Sequence, residues 1–115
     1  MELISGMNKY AAYIRCVLSS QELAEQLAEE CNELAQASLK MIRASGMSAN
    51  ITPISRRDAY DNFIEEQNDV VSVLWVLTCD ERYAYIDEYP KYETWAKRLG
   101  YKEVEMTTKK EHQQR

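Results

Sequence analysis

Residues 20–44 read SQELAEQLAEECNELAQASLKMIRA. Ala, Leu, Glu and Gln dominate, all strong helix formers, and neither Gly nor Pro interrupts them. Ser19 stands just before the segment and Glu22 three positions later, the pattern of a capping box. Gly46 supplies a stop. The stretch therefore reads as one helix, Ser20–Ala44. At about 100° per residue, Leu23, Leu27, Leu34 and Met41 fall in one apolar row, and Ala28, Cys31, Ala35 and Ile42 extend it. A helix with such a stripe needs partners to bury it.

The flanking sequence supplies them. Residues 7–18 read as a short helix with Tyr10, Ala11, Ile14, Val17 and Leu18 on one side. Residues 45–54 are small and polar and end near Pro53, a loop. Ser55, with Asp58 three positions on, opens a third helix that runs from about residue 56 to residue 79. It is polar at first and apolar nearly all round after Asp69, so its second half is expected to be the central post, buried on every side. Residues 80–89 read as a frayed helix end and a connection. Pro90 suits the first turn of a fourth helix, which runs to Leu99 and is closed by Gly100. Residues 1–102 are thus expected to form one all-α domain, a four-helix bundle type of fold. Residues 103–115 form a polar tail that carries the single histidine, His112.

Composition agrees. The chain has 115 residues, 45% of them hydrophobic, with three Gly and two Pro. Turn residues are too scarce for an all-β fold. A helical domain of this size is marginal alone, so its core is expected to be completed by homo-oligomerisation, as a dimer or tetramer. The net charge of -5 disfavours a nucleic-acid partner, which needs a basic footprint. An acidic protein can still bind a polyphosphate when metal ions lie between the two sets of charge. Cys16, Cys31 and Cys79 have no metal-ligand or disulfide-framework spacing, and they read as reduced thiols in a cytoplasm. Cys31 and Cys79 are expected in the core. No signal-peptide pattern opens the chain. The longest apolar run, residues 70–79, is about half of what a membrane span requires.

The second helix carries Glu29-Glu30-Cys31-Asn32-Glu33 and the third carries Glu65-Glu66-Gln67-Asn68-Asp69. Residues i and i+3 share a helix face. Glu30 with Glu33, and Glu66 with Asp69, can therefore each aim two carboxylates at one spot, and antiparallel packing would join the pairs. A single EExxE string is ordinary on a solvated face. Two strings on successive helices, each abutting an apolar row, are not, because a carboxylate against the core is costly unless paired or metal-bound. No Lys or Arg lies between Leu18 and Leu39, which makes salt-bridge pairing a poor escape. Four oxygen ligands without His or thiolate suit Mg²⁺ or Mn²⁺. A ferritin-like di-iron site would need Glu-x-x-His motifs, and the chain has none.

EExxE on one helix, a gap of some thirty residues and ExxD on the next resembles the MazG-like all-α nucleoside triphosphate pyrophosphohydrolases, over residues 18–99. The resemblance implies a homo-oligomeric helical bundle that cleaves a nucleoside triphosphate to the monophosphate and pyrophosphate with Mg²⁺. By position it implies Glu30, Glu33, Glu66 and Asp69 as catalytic metal ligands. Glu29 also matches the motif. Members hold phosphate oxygens with basic residues after the third helix, for which Lys91, Lys97 and Arg98 are the candidates here, with Lys40 or Arg43 from the second helix. Glu33 or Glu30 would accept the proton of the attacking water. Tyr10, Tyr13, Tyr60 and Trp75 are the aromatics considered for base stacking, and Gln67 is expected to need a buried partner. The alternatives are a non-enzymatic helical oligomeric binding module, or another metal-dependent phosphohydrolase that uses the same carboxylates.

Overall fold

A computed structural model describes residues 6–50 and 53–103. The tail beyond residue 103, with His112, lies outside the described residues. Within them all regular structure is helical: α1 Lys9–Val17, α2 Ser20–Ala44, α3 Arg56–Thr78, a 3-10 helix Glu81–Ile86, and α4 Lys91–Arg98.

Local chemistry sets these boundaries. The Asn8 side chain accepts hydrogen bonds from the backbone N–H groups of Tyr10 and Ala11, so α1 begins later than expected. Ser19 and Glu22 form the reciprocal capping box at the start of α2. Ser55 caps α3 by accepting from the Asp58 N–H. Cys79, at φ 55° in the left-handed region, ends α3. Residues 81–86 are an ordered 3-10 turn, not a frayed end. The Asp80 side chain caps it, and Ile86 buries into the core.

α2 and α3 form an antiparallel hairpin. The Arg56 guanidinium donates to the Ser45 carbonyl at its closed end, while Glu30 meets Glu66 and Asp69 further along. The hydrophobic core lies at the other end. There Met7, Ala11, Ala12 and Ile14 at α1, Leu23 of α2, Trp75 and Val76 of α3, Ile86, and Tyr92 and Ala96 of α4 pack together. Asp87 ties this end shut. Its carboxylate accepts from the Asn8 backbone N–H at 3.0 Å and from the Trp75 indole N–H at 2.8 Å. Arg15 adds a second tie by donating to the Val76 and Leu77 carbonyls at the end of α3.

Three expectations about burial need correction. Leu23 is buried, and Leu27, Leu34 and Met41 are half-buried, but Ala28, Cys31, Ala35 and Ile42 are exposed. The single chain thus covers only the inner row of the α2 stripe, and Cys31 is not a core residue. Gln67 is exposed and needs no buried partner. The second half of α3 is a post with one half-covered side: Val73, Trp75 and Val76 are buried, while Val70, Val71, Leu74 and Leu77 are intermediate.

Candidate metal centre

Glu30 projects from α2, and Glu66 and Asp69 from α3. One carboxylate oxygen of each lies within 4.8 Å of the others. Oxygens that share one Mg²⁺ are at most about 4.2 Å apart, since each Mg–O bond is about 2.1 Å. The three therefore need only a small side-chain adjustment to hold a common ion. Asp69, on the row of Val73 and Val76, is 9% exposed, as its place in the apolar pattern led us to expect.

Each member is held differently. Gln26 Nε2 donates to Glu30 Oε2 at 3.1 Å. Asp69 Oδ1 accepts from the Tyr89 hydroxyl at 2.6 Å, and both Asp69 oxygens accept from Lys91 Nζ, at 3.0 and 3.1 Å. Glu66 Oε2 is buried and has no hydrogen-bond partner among the described residues. A buried carboxylate oxygen without a donor is costly, and a bound cation would satisfy it. The donor set is wholly oxygen, which suits a hard divalent ion.

The electrostatics report the same crowding. Desolvation, reinforced by the charge of Asp69, by the charge of Glu33 and a hydrogen bond with it, and by the charge of Glu30, pushes the Glu66 carboxyl up to about 7. Burial also raises Glu30, with Asp69 and Glu33 adding to it and the Gln26 hydrogen bond opposing. Burial and the hydrogen bond to Asp69 raise the Tyr89 phenol and keep it a donor. Burial works against the Lys91 charge, but the carboxylates of Asp69, Glu65 and Glu66 outweigh it, and its pKa is raised.

Glu33 and Glu29 are exposed on α2 and line a cleft of about 420 Å³ beside the cluster. Three of the four expected ligands thus converge tightly, and Glu33 borders them. The cluster does not lack a cation, as the local sequence suggested: Lys91 supplies one from α4 and also lies 3.8 Å from Glu65. Arg98 lines the cleft. Lys97 instead pairs with Glu93 one turn away, at 2.6 Å, and does not line it. Neither do Lys40 or Arg43, which sit at the far end of α2.

Of the aromatics considered, Tyr10 and Tyr13 pack edge-on against Tyr101. Trp75 is buried, and Tyr60 is exposed outside the cleft. The sequence reading missed Trp95, Thr94, Ser72 and Gln26, which do line the cleft, and Tyr89. One signal was available: Lys91, Thr94, Trp95 and Arg98 recur at i, i+3, i+4 and i+7, a single helix face. Comparison of the chain with known protein families, with curated proteins and with solved structures finds no match.

Proposed function

We propose that the protein is a Mg²⁺-dependent nucleoside triphosphate pyrophosphohydrolase of the MazG-like kind. The observation that carries this is the convergence of Glu30, Glu66 and Asp69 from two helices, within 4.8 Å, around a buried Glu66 oxygen left without a hydrogen-bond partner among the described residues. Their order and spacing are those of the resemblance.

Glu30, Glu66 and Asp69, with Glu33 at the rim, would hold Mg²⁺ or Mn²⁺. The ion would neutralise phosphate charge, lower the pKa of bound water and stabilise the leaving pyrophosphate. The chain's own contribution is mostly placement and electrostatics. Gln26 and Tyr89 orient the carboxylates. Glu33, solvent-exposed beside the cluster, or Glu30 would accept the proton of the attacking water. Lys91 and Arg98 face the cleft from α4, and Lys91, the one beside the carboxylates, meets phosphate oxygens. Lys97, engaged with Glu93, is left out of this assignment. The exposed row of α2, with Leu39 and Ile42, is where a second copy would pack to complete a homodimer or a larger assembly.

No helix among the described residues is long and apolar enough to cross a membrane. A cytoplasmic location remains part of the proposal.

The test is product analysis with a panel of nucleoside triphosphates and Mg²⁺. Pyrophosphate and the monophosphate are expected, with loss on Glu66→Gln or Asp69→Asn. Inorganic phosphate as the product would favour another phosphohydrolase. Absence of any turnover would favour a binding module.

A further inference from the structure

The cleft beside the carboxylates has two chemically different walls. Glu29, Glu30 and Glu33 line it from α2, and Asp69 adds a fourth carboxylate from α3. Facing them from α4 are Lys91, Thr94, Trp95 and Arg98. Among the described residues Trp95 is the one aromatic ring in the lining. It is half-buried, and its plane lies 13° from that of the buried Tyr92, with ring centroids 6.5 Å apart. The Tyr92 hydroxyl is itself fixed to the Ser72 carbonyl at 2.6 Å. The indole is therefore set against an immobile ring rather than left as a loose surface group.

Four helix positions separate Lys91 from Trp95, a rise of about 6 Å along α4. A ligand whose phosphates lie near Lys91 and the carboxylates would bring a group one sugar further on towards the indole. A volume of about 420 Å³ falls within the ordinary range for a small-molecule site. Aromatic side chains take nucleobases by stacking, with little demand on which base is present.

We propose that Trp95 is the base-stacking residue of this cleft, so that the ligand is recognised as an aromatic nucleoside joined to a phosphate chain and not as a polyphosphate alone. This rests on the assignment of the cleft to nucleoside triphosphates. It adds a specificity determinant that the carboxylates cannot provide, since they see only metal and phosphate.

The experiment compares the wild type with Trp95→Phe, which keeps an aromatic face, and Trp95→Leu, which keeps apolar bulk without one. Each is assayed with a nucleoside triphosphate and with inorganic tripolyphosphate. Indole fluorescence is followed while a non-hydrolysable nucleoside triphosphate is added with Mg²⁺. Stacking predicts that Trp95→Leu raises KM for the nucleotide by roughly ten- to one-hundred-fold and leaves tripolyphosphate cleavage unchanged. Trp95→Phe should retain most nucleotide affinity, and the nucleotide-induced quenching should disappear in both variants. Equal effects on both substrates, or quenching that survives in Trp95→Phe, would overturn the assignment. If the wild type hydrolyses neither substrate, the enzymatic function fails. The fluorescence titration then still decides whether Trp95 binds a nucleotide, and no Trp95-dependent quenching would refute it.

Discussion

The Lys91 ammonium lies 3.0 Å from one Asp69 oxygen and 3.1 Å from the other, so a helix-four cation neutralises the most buried carboxylate of the cluster. A divalent ion at the same carboxylates would compete with it. In chelator, Lys91→Met should lower the melting temperature, because Asp69 keeps only the Tyr89 hydroxyl. Half of the Lys91 side chain is exposed, so solvent screening limits the cost to about 1 kcal/mol. Added Mg²⁺ should then raise the melting temperature of the variant more than that of the wild type. A smaller Mg²⁺ response in the variant would argue against competition at Asp69.

Glu66 links stability to pH. Its carboxyl is raised from 4.5 to about 7, so the folded state holds this proton more tightly than the unfolded chain does. The resulting stabilisation is fully present below pH 4.5 and is lost as pH rises through about 7. Glu66→Gln should therefore stabilise the chelated protein at pH 8 and change it much less at pH 5. Cation binding needs the carboxylate, so wild-type Mg²⁺ affinity should climb over the same interval. Thermal melts at the two pH values check the first statement. A stabilisation that is the same at both would contradict it.

Asp87 is expected to matter for folding and not for chemistry. It accepts from the Asn8 N–H and from the Trp75 indole, and among the described residues neither donor is shown with another acceptor. Asp87→Ala should cost about 2–4 kcal/mol in urea unfolding, through two unsatisfied donors. Loss of α1 docking would appear in the near-ultraviolet signal of Trp75. A change below about 0.5 kcal/mol, the usual surface value, would show that these bonds contribute little.

Leu39 and Ile42 stand exposed on α2, at 51% and 46%. If a second copy covers them, Leu39→Glu combined with Ile42→Glu should convert the assembly to a monomer in analytical ultracentrifugation. The helical content should be preserved. A wild-type protein that sediments as a monomer at all concentrations would remove the proposed interface.

Much of this architecture was legible because it is local. Ser19 and Glu22 mark the start of α2, Ser55 and Asp58 that of α3, and Gly46 and Gly100 lie just past helix ends where positive φ is required. The i, i+3 spacing placed Glu66 and Asp69 on one face, and the apolar row beside Asp69 foretold its burial. The rest depends on which distant elements meet. Hydropathy marks Cys31 and Ala35 as apolar but does not say whether the same chain covers them. The Lys91–Asp69 and Tyr89–Asp69 contacts span 22 and 20 positions, and no helical period links them. Trp95 shares a helix face with Lys91, Thr94 and Arg98, and only the packing of α4 sets that face beside the carboxylates.

Titration of the chelated protein with Mn²⁺, followed by calorimetry, bears on the carboxylate cluster itself. Saturable binding is expected, weakened by about tenfold or more in Glu66→Gln and in Asp69→Asn. Glu65→Gln, on the exposed side of α3, should bind as the wild type does. Absence of saturable binding, or equal affinity in the Glu66 and Asp69 variants, would show that these side chains do not form a metal centre.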